Sequence, residues 1–223
     1  MRRRAFMNHE LFWLQWGTTA IISVTLAILF PVIARRNQVQ DRSLCQSNLK
    51  LIAKGMLLYS QDWDKRFPIV KVNDANITPK KPYGWADALG PYLKSQFSLR
   101  CRDGIISRYR KNQEKDPRDA TYSAYYFNSR LNGIKQQEVK QAASVILVGD
   151  GKNGTDKADA RYSLGSLPTA WREDTSSPLY RHFEGANYAF VDGHVKWLKP
   201  DKITDLKAIE LKSKPDHFTF AIK

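Results

Sequence analysis

The residues most able to do chemistry in this sequence are its histidines, two of its aspartates and its two cysteines. The histidines and aspartates that could share a metal ion are His9, His182, His194, His217, Asp150 and Asp192. Their spacing matches no zinc signature, and no His-Glu-x-x-His pair is present. Asp192 and Gly193 have the composition of a tight turn. We therefore predict no metal ligands here and expect His182 to anchor a loop to the following hairpin by a hydrogen bond.

A second group of candidate ligands follows residue 149. Asp150, Asn153 and Asp156 carry the hard oxygen atoms that calcium prefers. Their spacing is not that of an EF-hand, and Lys152 and Lys157 oppose cation binding. The expectation is that the protein holds no cofactor, with weak calcium binding in this loop as the alternative.

The two cysteines, Cys45 and Cys101, leave two alternatives open. In an oxidising compartment they could form one disulfide, and otherwise they are two buried free thiols. Pairing geometry cannot be read from sequence. Neither cysteine has a neighbouring histidine, and no Gly-x-Ser-x-Gly motif, phosphate-binding loop or dinucleotide fingerprint occurs. We predict that the protein is not an enzyme.

The first element that must position these residues is an apolar segment over residues 11–33, which has 23 residues without a charge. A helix of that length can cross the bilayer core. Three arginines precede it, Trp13 and Trp16 lie near its start as interfacial anchors, and Pro31 lies near its end. The segment predicts a single-pass helix in the inner membrane, with residues 1–10 cytoplasmic and the C-terminal part periplasmic or extracellular.

A second, amphipathic helix is predicted over residues 34–64, as a stem and spine. Its apolar residues recur every three or four positions at Cys45, Leu49, Ile52, Met56, Tyr59 and Trp63. The helix should end near Asp64, because the residue before Pro68 avoids helical angles.

Residues 65–223 are predicted to form one globular domain. A short helical piece is expected over residues 85–93, strands over residues 123–127, 144–148, 186–191 and 194–198, and long surface loops between Gly149 and Pro178. Asp192-Gly193 between two apolar runs predicts a β-hairpin with a two-residue turn. The fold class is therefore α+β.

In combination, these features resemble a known family. The matching stretches are LAILFPVIARR at 26–36, CQSNLKLIAKGMLLYSQDWDKRFP at 45–68, WADALGPYL at 85–93, YSAYYFNSRL at 122–131 and ASVILVGD at 143–150. His182 is then followed, after nine residues, by Asp192-Gly193. The chain resembles type IV pilin-like proteins, specifically prepilin-type proteins with a C-terminal His, nine residues, Asp-Gly signature. The resemblance implies a long N-terminal helix packed on an antiparallel sheet, in a structural subunit of a pilus or type II secretion assembly.

One departure from that family opens an alternative. Family members carry a prepilin peptidase site, but the positions of its glycine and glutamate hold His9 and Leu14 here. Cleavage and ordinary filament assembly are therefore in doubt. The alternative is an uncleaved, pilin-derived accessory subunit of a larger integral membrane complex, which docks through its helix and its basic outer domain.

The charge of the chain bears on its partners. The formal net charge is +14, and most of the excess follows residue 33. Such a charge favours acidic partners, but the basic residues are scattered and form no nucleic-acid motif. The expected partners are membrane lipid, other membrane protein subunits along the N-terminal helix and an acidic protein surface; nucleic acid is not expected.

Overall fold

The computed structural model describes residues 2–70, 82–101, 115–151, 157–205 and 216–222, apart from the side chains of residues 2–15, 32, 34–38 and 97. The chain divides into two compact units, Met1–Gln40 and Asp41–Lys223. The sequence placed its boundaries at residues 10, 33 and 64. The division therefore falls inside the predicted stem.

A single helix, α1 (Arg2–Asp62), runs through both predicted helical segments and continues through Pro31. The described apolar side chains of its first unit are exposed, and Trp16, Ile21 and Phe30 show 62%, 66% and 77% of their surface. Hydroxyl groups between them bond back to the helix: Ser23 Oγ donates to the Thr19 carbonyl at 2.9 Å. This part of α1 is apolar but repeatedly interrupted by polar groups.

The structure contradicts the predicted membrane-spanning helix. Among the described residues, no helix is both long enough and apolar enough to span a bilayer. The single-pass helix over residues 11–33 and the inner-membrane location are therefore corrected; Trp16 and Pro31 lie on an exposed helix, and the side chain of Trp13 lies outside the described residues.

In the second unit, α1 buries the predicted apolar stripe. Cys45, Leu49, Ile52 and Met56 are fully buried, and Tyr59 is nearly so. Trp63 departs from the prediction because it follows the last helical residue; it is half exposed, and its ring stacks on Tyr59 at 5.4 Å.

The end of α1 has a local cause. Asp64 and Lys65 adopt positive φ angles of 52° and 59°. The Lys65 amide donates to the Ser60 carbonyl at 2.7 Å, which is the kind of hydrogen bond that closes a helix with left-handed residues.

The sheet has five strands, and four of them lie where strands were predicted. They are β1 (Tyr125–Asn128), β2 (Ile146–Asp150), β3 (Ser163–Leu164), β4 (Ala186–Phe190) and β5 (Val195–Leu198). The order is β3-β1-β2-β4-β5. All neighbours are antiparallel except β1 and β3, so the sheet is mixed rather than purely antiparallel.

Alternation along the strands divides the core in two. Tyr125 and Phe127 belong to the same apolar cluster as the buried stripe of α1. Tyr126, Tyr188 and Phe190 point to the opposite face, into a second cluster. Because both faces are covered, every residue of β1, β2 and β4 is buried.

The predicted hairpin joins β4 and β5, and it is confirmed. Its turn differs in length: the Phe190 amide donates to the His194 carbonyl at 2.9 Å, which leaves three residues in the loop. Gly193 has a φ of 91°, as in the three-residue hairpin loop that ends in a left-handed residue. The sequence identified the turn residues but not the extra loop position.

Smaller elements complete the unit. The predicted helical piece at 85–93 is α2 (Trp85–Ala88) followed by a 3₁₀ turn at Gly90–Tyr92. The predicted loop region between Gly149 and Pro178 contains β3 and α3 (Thr169–Glu173). Near the C-terminus, β6 (Ile203–Thr204) pairs in parallel with β7 (Phe218–Thr219).

Replacing Leu49 with Ala tests whether α1 is an integral part of the second unit. Leu49 is fully buried, so its truncation should lower the free energy of unfolding by about 2–5 kcal/mol. Leu51→Ala on the same helix is the matched control, because Leu51 is 44% exposed. Urea denaturation followed by tryptophan fluorescence measures both; equal losses would contradict the burial of Leu49 against the sheet.

Candidate functional site

The two cysteines meet at the N-terminal part of the α1 stripe. Cys45 lies on α1 and Cys101 follows a 3₁₀ turn at Gln96–Leu99, and their Cα atoms are 5.4 Å apart in a disulfide. Both residues are fully buried. Nearby, Asn48 Nδ2 donates to the Arg100 carbonyl at 2.7 Å, which holds the same two segments together. Of the two alternatives left by the sequence, the structure contains the bonded pair.

His182 reaches the disulfide from a tight loop ahead of β4. Phe183 and Glu184 both have left-handed φ angles, of 56° and 59°, and the His182 amide donates to the Gly185 carbonyl at 2.9 Å. The loop turns the imidazole inward, where only 2% of the residue is exposed. Its Nε2 lies 3.5 Å from Cys101 Sγ.

Asp150 supplies the fourth side chain, at the end of β2. One carboxylate oxygen, Oδ2, lies 3.4 Å from His182 Nε2 and accepts the Asn187 backbone N–H at 2.7 Å. Asp150 is fully buried. The candidate ligand atoms of Cys45, Cys101, Asp150 and His182 all lie within 4.8 Å of one another; we call these four residues the buried cluster.

Two buried tyrosines adjoin the cluster on the other face of the sheet. Tyr126 and Tyr188 are the cross-strand partners of Gly149, the residue before Asp150. Burial raises the pKa of each phenol well above its usual range. For Tyr188 the nearby Asp150 carboxylate adds to that rise in pKa. Both hydroxyls therefore stay protonated at ordinary pH and provide no base.

The predicted signature residues are placed in two different surroundings. His182 is interior, whereas Asp192 and Gly193 form the exposed hairpin turn, where Asp192 Oδ1 lies 2.6 Å from Nδ1 of His194. The expected link between His182 and the hairpin exists through its backbone: Trp197 Nε1, on β5, donates to the His182 carbonyl at 2.6 Å. The structure does not bring the His182 side chain to Asp192.

The candidate calcium ligands are not assembled among the described residues. Asp150 faces the interior toward His182, and Asn153 and Asp156 lie outside the described residues. What the sequence reasoning missed is the pairing of Asp150 with His182 beside the cysteines. The available signal was a polar residue ending a fully apolar strand, VILVGD, because a buried aspartate requires a partner.

Chemically, the buried cluster is closed. A disulfide, an imidazole and a carboxylate meet where the four residues have at most 2% exposure, so a substrate cannot reach these atoms in this conformation. The Cys45–Cys101 bond closes a loop with a sequence separation of 56, which in the chain-entropy account is worth about 4 kcal/mol.

Compared with known proteins, the chain matches no family model, no curated protein and no solved structure.

Replacing His182 with Ala should lower the thermal stability of the chain. Truncating the buried imidazole takes one polar neighbour away from the buried Asp150 carboxyl group, and leaving a buried polar group short of a partner costs about 1–3 kcal/mol. His194→Ala is the control, since the His194–Asp192 pair is exposed and its loss should cost at most about 1 kcal/mol. Thermal melts by circular dichroism compare the two; an unchanged melting temperature for His182→Ala would overturn this interpretation of His182.

Gly149→Ala tests the close approach of the tyrosines. An added Cβ would overlap the Tyr126 phenol and lie 2.9 Å from Tyr188 Cδ1, so we expect a loss of about 1–3 kcal/mol. Gly90→Ala is the control, because no atom lies within 4 Å of its added Cβ. Denaturation midpoints that are equal for both variants would contradict the tyrosine packing.

Proposed function

We propose that the chain is a non-enzymatic, pilin-like structural component of a secretion- or pilus-type assembly, and that it associates with other subunits through the N-terminal part of α1. The observation that carries the proposal is the exposed apolar surface of α1 in the first unit. Ile21, Val24 and Ile28 share one helical face and are each more than half exposed. Large exposed apolar surfaces on proteins are typical of interaction sites.

The second unit supports a pilin-like fold. Its part of α1 buries an apolar stripe in the same cluster as residues of a five-stranded, mostly antiparallel sheet. A long helix whose C-terminal half covers one face of such a sheet is the arrangement that the sequence resemblance implies. The hairpin with Asp192-Gly193 at its turn adds the C-terminal part of that resemblance.

The chemistry of the buried cluster supports a structural role. Catalytic groups must touch a substrate, whereas Asp150 and His182 are buried and both cysteines are bonded to each other. The same contacts hold α1, β2 and the loop before β4 in fixed positions. A stable platform for a helix that associates with its equivalents is what a structural subunit needs.

Association through α1 has a clear driving force. Burying each large apolar side chain contributes about 1.5–3 kcal/mol, and paired helices approach to 8–10 Å. Ile21 and Ile28 lie two helical turns apart, so a neighbouring helix can cover both. The free energy gained by burying these side chains then exceeds the cost of association, and oligomers are favoured.

Sedimentation of the full chain tests the proposal. We expect concentration-dependent oligomers, and the triple variant Ile21→Gln, Val24→Gln, Ile28→Gln should weaken association at least about tenfold, because about 1.4 kcal/mol of lost interaction suffices for that factor. The matched control replaces Leu44, Leu51 and Leu58, which are the exposed leucines on one face of α1 in the second unit, by Gln.

The control should associate like the unchanged chain. A chain that stays monomeric at all concentrations, or a triple variant that associates as strongly as the control, would contradict the proposed role of the N-terminal part of α1.

The formal charge of +14 favours a second candidate function. An accessory subunit that docks on an acidic surface of a larger complex would use that charge, and its recovery with the complex would fall as salt rises. Recovery at fixed stoichiometry with unrelated subunits, without self-association, separates this function from the first.

A further inference from the structure

We propose that the buried cluster is a redox-gated zinc site. With Cys45 and Cys101 oxidised it holds a disulfide; once the disulfide is reduced, the two thiolates, the Asp150 carboxylate and His182 Nε2 bind one Zn²⁺ ion as a closed tetrahedral site. The proposal concerns the second unit alone and does not depend on the proposed assembly function.

Two distances in the buried cluster match the edges of a zinc tetrahedron. With bond lengths of about 2.3 Å to sulfur and about 2.0–2.1 Å to nitrogen and oxygen, the sulfur–nitrogen edge is about 3.6 Å and the nitrogen–oxygen edge about 3.4 Å. The structure has 3.5 Å between Cys101 Sγ and His182 Nε2 and 3.4 Å between His182 Nε2 and Asp150 Oδ2. Two edges are therefore already in place.

The remaining adjustment is in the sulfur atoms. Once they are no longer bonded, they must lie about 3.8 Å apart to bind one zinc ion, and all four ligand atoms already lie within 4.8 Å of one another. Rotation of the two cysteine side chains provides such a change, while Asp150 Oδ2 stays oriented by the Asn187 N–H at 2.7 Å. Hydrogen bonds of that kind orient ligands in known metal sites.

The donor set selects the metal. Two thiolates with one imidazole are soft or borderline ligands and suit Zn²⁺ in tetrahedral geometry. Calcium takes six to eight oxygen ligands, and the cluster offers one carboxylate. The burial of all four residues is typical of a structural zinc site, which has no open coordination position.

Reduction of the disulfide needs an electron donor, and a dithiol provides one. The reductant donates two electrons and two protons to the Cys45–Cys101 bond and becomes a disulfide itself, while the protein gains two thiols. Binding of Zn²⁺ then releases the two thiol protons to water, because thiolates are the ligands. Two thiolates, one carboxylate and a neutral imidazole leave the occupied site with one net negative charge.

Metal retention by the full chain tests the proposal. The chain is reduced without oxygen by a phosphine, which competes weakly for zinc, incubated with Zn²⁺ and passed through a desalting column. Elemental analysis should find one zinc per reduced chain and almost none per oxidised chain. Co²⁺ in place of Zn²⁺ should give a thiolate-to-cobalt charge-transfer band.

Variants identify the ligands. Asp150→Asn and His182→Gln are first shown to be folded with the disulfide intact, by circular dichroism, and are then reduced. Each should bind zinc at least about tenfold more weakly, since even residues that only orient ligands change affinity by 10–100-fold. His194→Gln is the matched control: it removes the other close His–Asp pair, at 2.6 Å and exposed, and should retain one zinc.

The melting temperature and the zinc content together decide whether the site binds zinc. Zinc that raises the melting temperature of the reduced chain, but not of reduced His182→Gln, supports the site. The proposal is overturned if the reduced chain retains no zinc, if it unfolds and zinc does not restore its circular dichroism, or if the variants and the control bind equally, as thiols of an unfolded chain would.

Discussion

The burial of one face of α1 against the sheet is the contact on which the second unit depends. Leu49, Ile52 and Met56 cover a face of β1, β2 and β4 that carries Tyr125, Phe127 and other large apolar side chains. Without that helix the face would be open to water, and a sheet with one bare apolar face is not stable alone. Because Cys45 belongs to the same stripe, the packing also decides where Cys101 can lie. The buried cluster is in that sense a consequence of the helix.

Glycines and left-handed residues then allow polar side chains to enter the interior. Gly149 lets the Tyr126 and Tyr188 rings approach β2 closely, and its neighbour Asp150 turns to the other side of the strand, toward His182. Gly185 has no Cβ where the Trp197 ring passes, at 2.5 Å from the position a Cβ would take. That approach permits the hydrogen bond from Trp197 to the His182 carbonyl. The absence of a side chain at Gly149 and Gly185 thus permits the close contacts around the cluster.

The spacing of apolar residues along the chain predicts individual helices, strands and turns. The spacing of Cys45 to Tyr59 was enough for the second half of α1, and apolar runs with turn residues were enough for four strands and the hairpin. The parallel pairing of β3 with β1 could not be predicted, because a two-residue strand has no pattern of its own. The meeting of Cys101, Asp150 and His182 depends on three segments far apart in sequence, and spacing rules for metal sites describe only ligands close in sequence. The membrane prediction was wrong, since no helix among the described residues is both long enough and apolar enough to span a bilayer.

A covalent link and a metal link constrain this fold differently. The disulfide joins α1 to the segment at Cys101 and restricts the unfolded chain, since it closes a loop with a sequence separation of 56. Its contact with His182 is through Cys101 Sγ, which lies 3.5 Å from the imidazole Nε2. A metal ion at the same point would join four segments at once, adding β2 and the loop before β4, but only in the folded chain, where the ligands are together. The disulfide therefore stabilises the fold by reducing the conformational entropy of the unfolded chain. A bound metal would stabilise it by adding bonds in the folded chain. In the occupied state the loop carrying His182 would gain a bond to the metal. Phe183 and Glu184 in that loop have left-handed φ angles, which cost free energy and persist where the surrounding structure fixes them.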